Sequence, residues 1–221
     1  STQGVSSAAS DVYKRQRLKD MHINDLGLID YNLAWKQMQV AIGKRCSKEP
    51  DEIWFAEHTP VYTLGHAASE AFILSNNDVP VVRTDRGGQV TYHGPGQLMI
   101  YTLLNLKRLG WGPKRLICEL ETLIIKLLEK YEIFAERREG APGIYVQDKK
   151  IASIGLKIKK GFCYHGISLN IDMDLKPFDG IITCGIEELD VTQITDYSKI
   201  SIELVKKDFI NILNGSNFRT A

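Results

Sequence analysis

A glycine-rich segment leads directly into the longest apolar run of the chain, and this pair constrains the fold more than any other feature. The segment spans residues 86–97 with four glycines and one proline, and the run follows from Leu98 to Leu106. Because the run is apolar on both faces, it predicts a central, covered strand. Glycine permits positive φ and close approach of backbone N–H groups, so the segment is either a ligand-binding loop or a plain hairpin loop.

Three stretches have the hydrophobic period of amphipathic helices. The first begins near Leu28, the second at Gly112-Pro113, where proline suits the first helical position, and the third at Ser201. Their predicted buried stripes are Leu28, Tyr31, Trp35, Met38 and Ile42, then Leu116, Leu120, Leu123, Leu127 and Tyr131, then Ile202, Val205, Phe209 and Ile212.

Strand-like segments fill the space between these helices. They cover residues 52–58, 61–65, 80–83, 98–106, 143–147, 150–158 and 162–170. Tight turns are expected at Asp148-Lys149 and Lys160-Gly161. This order predicts an α+β fold, with a mixed or antiparallel sheet and helices packed on one face.

The first 17 residues differ from the rest, because they are rich in Ser and Ala and have no apolar period. We expect residues 1–17 to be a disordered tail or a cloning remnant, and residues 18–221 to form a single domain. The formal net charge is +1, and it becomes −1 without the tail, so the broad cationic surface of a nucleic-acid-binding protein is not expected.

The apolar runs are far shorter than the roughly 20 residues that span a bilayer, so we expect no membrane segment. No secretory signal is evident, and the four cysteines lack the spacing of a disulfide framework. Reduced thiols in the cytoplasm are the expectation.

Cys184 and Lys150 are candidates for covalent chemistry. Cys184 lies between flexible neighbours, so a turn could present its thiolate to a substrate, although a free cysteine is usually a buried structural thiol, as we expect for Cys118. Alternation along the strand places Lys150 on one face with Ala152, and Lys157 on the other, towards solvent. An inward-facing Lys150 would exchange a proton readily, whereas a lysine in the turn would extend outward into water.

His93 and His165 each precede a glycine and could hydrogen-bond a substrate carbonyl, although structural roles are more common for single histidines. We expect His58 to be structural. No cluster of residues has metal-ligand spacing, so no metal is predicted, and the glycine-rich segment matches no phosphate-binding pattern.

Taken together, these residues resemble the octanoyl-acyl-carrier-protein:protein N-octanoyltransferase family, also called lipoate-protein ligase B. The resemblance covers roughly residues 28–213 and implies the α+β catalytic fold shared with biotin and lipoate protein ligases. Two positions depart from the family pattern, because Thr183 and Thr102 stand where proline is usual. The motifs that carry it are residues 86–97, Ala141-Pro142-Gly143, Lys150-Ile151-Ala152-Ser153-Ile154-Gly155, His165-Gly166-Ile167-Ser168-Leu169-Asn170 and Cys184-Gly185.

The resemblance implies that octanoyl passes from octanoyl-acyl carrier protein, through a Cys184 thioester, to a lysine of an apo lipoyl domain. Cys184 and Lys150 would be the catalytic pair. The implied acceptors are lipoyl domains of 2-oxoacid dehydrogenase E2 subunits and the glycine cleavage H protein. Neither ATP nor a metal would be needed, since the donor carries its own phosphopantetheine thioester. The implied acyl-site residues are Arg86, Gly87, Gly88, Gln89, Val90, Thr91, Tyr92, His93, Ser153, Ile154, Gly155, Gly166, Ile167 and Ser168.

Two other functions remain open at this point. An ATP-dependent lipoate or biotin ligase of the same fold would activate a free acid, although a separate phosphate-binding signature is missing. A non-catalytic module could instead shelter an acyl chain without forming a covalent bond to it.

Overall fold

A six-stranded mixed sheet forms the centre of the protein, with strand order β1-β2-β6-β9-β8-β7. A smaller sheet of three strands has the order β4-β3-β5. The strands are β1 Met21–Ile29, β2 Asp51–His58, β3 Val61–Leu64, β4 Val81–Arg83, β5 Val90–His93, β6 Gln97–Asn105, β7 Gly143–Val146, β8 Lys149–Lys159 and β9 Phe162–Asn170. The helices are α1 Tyr31–Lys44, α2 Leu106–Leu109, α3 Pro113–Glu129 and α4 Ile202–Gly215.

The computed structural model describes residues 21–46, 49–75, 78–186 and 189–216. The predicted tail over residues 1–17 lies outside these ranges. Within them, no helix is both long enough and apolar enough to cross a bilayer.

Strand β6 is covered on both sides, as the apolar run predicts. All nine of its residues are buried, and it pairs with β2 on one edge and β9 on the other. Alternate residues of neighbouring β2 enter different cores: Ile53 and Phe55 join the core that contains α3 and α4, while Trp54 and Ala56 join the core under α1. Helices therefore cover both faces, and the expectation of helices on one face was wrong.

Helix α1 begins three residues later than the periodicity suggests. Asp30 is the N-cap and its carboxylate accepts a hydrogen bond from the Leu33 N–H at 3.1 Å, which fixes the helix start at Tyr31. Leu28 instead belongs to β1, an edge strand that the sequence analysis missed, and its side chain is 60% exposed. The apolar spacing of the helix extends to Leu28 by coincidence. The strand β1 lies at the edge of the sheet and pairs only with β2.

The glycine-rich segment is part loop and part strand. Val90–His93 form β5 in the small sheet, antiparallel to β3, so neither a pure ligand loop nor a plain hairpin describes the segment. Residues 86–89 remain as a loop between β4 and β5, and its Gly87 N–H donates to the carbonyl of Leu156 on β8 at 2.9 Å. This bond joins the loop to the large sheet.

The hairpin between β7 and β8 turns at Gln147 and Asp148, both at positive φ (47° and 70°), one residue earlier than predicted. The second predicted turn, Lys160-Gly161, is correct and has positive φ at both residues.

Candidate active site

The side chains of Cys184 and Lys150 meet in the structure. The Lys150 Nζ lies 3.1 Å from the Cys184 Sγ and donates a second hydrogen bond, also 3.1 Å, to the carbonyl of Pro142. Lys150 is 3% exposed and Cys184 is half-buried. A lysine amino group at this distance can stabilise negative charge that develops on the cysteine sulfur during a reaction.

Cys184 occupies a strained turn. The residues Thr183–Gly185 form a single 3₁₀ turn in which Cys184 has φ 57° and ψ 14°, a left-handed conformation that is uncommon away from glycine. The chain before the turn is held by a hydrogen bond from the Ile182 N–H to the carbonyl of Phe72 at 2.8 Å. Strain of this kind is concentrated at functional sites, and here it presents the sulfur towards Lys150.

A β-bulge directs Lys150 towards the cysteine. Lys150 pairs with Tyr145, whereas Ala152 pairs with Ile144, so Ile151 is an extra residue in β8. Directly paired residues share a face of the sheet, and the bulge therefore puts Lys150 and Ala152 on opposite faces. The alternation argument was wrong at this point, since it assumed an unbroken strand, although it selected the lysine that contacts Cys184.

Gly143 leaves room for the lysine side chain. Its φ of 137° is unfavourable for other residues, and a Cβ placed there would lie 2.5 Å from the Lys150 Cε. Two residues of the motif Ala141-Pro142-Gly143 therefore position Lys150. The carbonyl of Pro142 accepts a hydrogen bond from the Lys150 Nζ, and Gly143 leaves space for the lysine side chain.

Arg86 stabilises the glycine-rich loop from within. Its guanidinium donates to the carbonyls of Thr63, Gly87 and Gln89 at 2.7 to 2.9 Å, and also to the Thr63 hydroxyl. Burial lowers the pKa of Arg86, and negative charge on Cys184 would counteract that shift. Arg86 therefore adds a positive charge near the cysteine while it shapes the loop.

A cavity of about 560 Å³ extends from the Cys184–Lys150 contact along β8 as far as Ile158. Twelve of the fourteen acyl-site residues implied by the sequence line it, and two do not. Tyr92 packs in the core of the small sheet, and Ile167 in the main core under α3 and α4. The residues that line it are Arg86, Gly87, Gly88, Gln89, Val90, Thr91, His93, Ser153, Ile154, Gly155, Gly166 and Ser168.

Several lining residues were missed by the sequence analysis. They come from α1, β6, α3 and the loops after β3 and β4, and no local pattern marks them as part of one site. These residues include Tyr31, His66, Asp85, Met99, Tyr101, Pro113 and Ile117.

His93 lines the cavity but both of its ring nitrogens are occupied. Nδ1 donates to the Gln97 Oε1 at 2.7 Å, and Nε2 then accepts from the Thr63 hydroxyl at 3.1 Å. His58, which donates from Nδ1 to the carbonyl of Ile29, accepts from the Tyr101 hydroxyl. Burial lowers the pKa of both histidines, and this network holds them neutral beneath the cavity.

His165 is held by Asp85, a residue that the sequence analysis did not select. The His165 Nε2 donates to the Asp85 Oδ1 at 2.9 Å, and Trp35 and Tyr164 donate to the same carboxylate. Burial tends to raise the pKa of Asp85, but the three hydrogen bonds outweigh it and hold that pKa well below its usual range. Burial also lowers the pKa of His165, so the pair is a neutral ring against a carboxylate.

The other cysteines have different surroundings. Cys163 is buried, and burial raises its pKa to about 11. Cys118 and Cys46 are exposed. The expectation that Cys118 is a buried thiol was wrong, because it lies on the outer face of α3.

The chain is similar to several known proteins. Residues 30–214 match the sequence family of the lipoyl protein ligase A/B catalytic domain. An octanoyltransferase of Vesicomyosocius okutanii subsp. Calyptogena okutanii is 49% identical over 195 residues, which are 87% of this chain and 96% of the relative. An octanoyltransferase of Legionella pneumophila (strain Lens) is 47% identical over 191 residues, 86% and 96% of the two chains.

Solved structures share the fold at low identity. A lipoate-protein ligase A bound with ATP has a TM-score of 0.77 at 14% identity, and the match covers 88% of this chain and 84% of that one. A biotin protein ligase from Aquifex aeolicus has a TM-score of 0.55 at 14% identity, with 88% and 69% covered. These two likenesses concern the fold alone.

The chain belongs to the lipoyl protein ligase A/B catalytic domain family. Within that family it is an octanoyltransferase, like the relatives that are 49% and 47% identical to it. The resemblance, the α+β fold class and the assignment as an acyltransferase are thereby confirmed.

Proposed function

We propose that Cys184 and Lys150 are the catalytic pair of this octanoyltransferase, and that the acceptor is a lysine of a lipoyl domain. The observation that carries the proposal is the 3.1 Å contact between the Lys150 Nζ and the Cys184 Sγ in a half-buried site. A remote lysine would not support this chemistry, because the thiolate needs a stabilising cation and the leaving group needs a proton donor.

In the first half-reaction the Cys184 thiolate attacks the carbonyl carbon of octanoyl-acyl carrier protein. The carbon-to-pantetheine sulfur bond breaks, and the Lys150 ammonium gives a proton to the departing thiolate. The products are an octanoyl-Cys184 thioester, a neutral Lys150 amine and the free carrier thiol.

In the second half-reaction the neutral amine of the acceptor lysine attacks the thioester. The bond between the carbonyl carbon and the Cys184 Sγ breaks, the excess amine proton passes to Lys150, and an amide forms. Cys184 thiolate and Lys150 ammonium are regenerated, so no ATP, metal or other cofactor enters the balance.

The cavity along β8 suits the acyl chain. An eight-carbon chain has seven carbons beyond its carbonyl, worth roughly 5 kcal/mol if all are buried. The twelve lining residues named above are proposed to bind the acyl chain. Cys184 also lines the cavity and is only half-buried, so a carbonyl bound there would be accessible to the carrier protein and to the lipoyl domain.

The carrier protein, the E2 lipoyl domains and the glycine cleavage H protein are proposed partners, and the cytoplasm is the proposed compartment. The four cysteines support a reducing compartment, since all are free thiols in the structure.

The test is intact-mass analysis after mixing with octanoyl-acyl carrier protein. We expect an octanoyl adduct on Cys184 that a lipoyl domain removes, and no such thioester in Cys184→Ser. Robust transfer from free octanoate and ATP, without carrier protein, would instead identify a ligase. Lack of any adduct while transfer proceeds would rule out the covalent route.

A further inference from the structure

One row of paired residues crosses the central sheet on the face under α1. Gly143 on β7 pairs with Ser153 on β8. Ser153 pairs in turn with Ser168 on β9, and Ser168 with Met99 on β6. Directly paired residues share a face of the sheet, and Met99 belongs to the core under α1. Ser153, Ser168 and Met99 all line the cavity, so the row is a floor of small side chains that ends at a large one.

The proposed reacting groups lie at the Gly143 end of this row. A Cβ placed on Gly143 would be 2.5 Å from the Lys150 Cε, and the Lys150 Nζ contacts the Cys184 Sγ. From Cys184 an acyl chain can follow the cavity in two directions. One runs along β8 to Ile158, which is 36% exposed, and the other crosses β8 and β9 to Met99, which is 5% exposed. Because removal of an apolar chain from water is favourable, the chain is better bound in the direction of Met99.

The spacing of the strands limits the length of chain that fits in that direction. Strands β7 and β6 are three steps apart in the sheet, and neighbouring strands lie about 4.8 Å apart, so their backbones are separated by about 14 Å. An extended octanoyl group measures about 10 Å from the sulfur to its terminal methyl, because each bond of about 1.5 Å advances the chain by about 1.3 Å. The octanoyl group therefore covers two of the three steps, and the third contains the Met99 side chain.

Met99 closes the cavity on the β6 side. All eight residues of β2, the next strand, are described by the structure, and none of them lines the cavity. Ala56, the partner of Met99 on β2, is fully buried. Tyr101 lines the cavity beside Met99, and its hydroxyl donates to His58, which fixes that part of the wall. A shorter side chain at Met99 would open the cavity towards Ala56, which is too small to close it.

We propose that Met99 sets the length of the acyl chain that this octanoyltransferase accepts, by stopping the terminal methyl of an octanoyl group at β6. The inference rests on the function proposed above, because it takes Cys184 as the residue that carries the chain. A decanoyl group would have to displace the Met99 thioether, and a hexanoyl group would leave the space in front of it empty. One methylene too many or too few in an apolar pocket changes the rate about 10- to 200-fold.

The test is a competition between chain lengths. Each protein is mixed with equal amounts of hexanoyl-, octanoyl- and decanoyl-acyl carrier protein, and the Cys184 adducts are measured by intact mass at early times. The ratio of two adducts in one sample does not depend on how much of the protein is folded. The variants are Met99→Ala, Met99→Phe and the control Met38→Ala, since Met38 is fully buried in the same core but does not line the cavity.

We expect Met99→Ala to raise the ratio of decanoyl to octanoyl adduct by about 10-fold or more, and Met99→Phe to raise the ratio of hexanoyl to octanoyl adduct by a similar factor. Met38→Ala should leave both ratios unchanged. Unchanged ratios in both Met99 variants would overturn the proposal. So would an equal shift in Met38→Ala, because a loosened core would then widen the cavity wherever it is truncated. Failure of the proposed function looks different, since the unsubstituted protein would then form no Cys184 adduct with any of the three carriers.

Discussion

Replacing Lys150 with methionine should disable the nucleophile without emptying the site. Methionine retains most of the apolar stem that packs beside Gly143, but it removes the ammonium that contacts Cys184 at 3.1 Å and lies over the Tyr145 ring. The carbonyl of Pro142 loses its hydrogen bond as well. The native fold should persist, because methionine fills nearly the same space and Cys184 without the ammonium can remain a neutral thiol, so no unpaired buried charge is left.

The size of the effect follows from the contact distance. Two unit charges separated by 3.1 Å attract by about 5 kcal/mol at an effective dielectric constant of about 20, an upper limit for the loss of thiolate stabilisation. Loss of a general acid and base costs about 10²- to 10⁴-fold in rate. Since the ammonium provides both effects through one atom, we expect octanoyl loading to slow about 10³-fold.

The assay is single-turnover loading of Cys184 from octanoyl-acyl carrier protein, quenched at intervals and followed by intact mass. Lys157→Met is the matched control, since Lys157 also lines the cavity but is partly exposed and further along β8. We expect the control to load at nearly the unsubstituted rate. Equal loading by both variants, or loading by Lys150→Met at the unsubstituted rate, would refute the assignment of the lysine.

Two further predictions concern stability. Gly166→Ala should destabilise the fold by about 1–3 kcal/mol, because the added Cβ would lie 1.9 Å from the carbonyl oxygen of Ile100. Gly43→Ala, where a Cβ on α1 would meet open space, should instead stabilise the fold by roughly 0.5–1 kcal/mol. Thermal unfolding of the two variants shows whether the close approach of β6 and β9 causes the difference. The free energy of unfolding should also fall between pH 7 and pH 5, because burial lowers the pKa of His58 and His93 in the native state. Below about pH 6.5 the unfolded chain therefore binds protons that the native state does not. The expected loss of stability is up to about 1.4 kcal/mol per pH unit for each histidine. Urea unfolding at both pH values measures this, and equal stability at the two would contradict neutral native histidines.

Local patterns predicted the elements whose signal lies within one segment. The apolar run located β6 as a covered strand, and Gly112-Pro113 located the start of α3. The prediction failed where a single residue changes the local geometry. Asp30 caps α1 and separates it from β1, and the extra residue Ile151 reverses the faces of β8. Neither event alters the hydrophobic composition on which periodicity depends.

By itself, the sequence determined the motifs, the family they resemble and the identity of a cysteine and a lysine that could react. These are properties of short segments, so they can be recognised without knowing how the segments meet. Only the tertiary structure decided that residues 34 positions apart come within 3.1 Å and that Asp85 holds His165. Those relations depend on strand pairing and on loops that pack against distant strands, and a contact between remote segments leaves no periodic trace in either one.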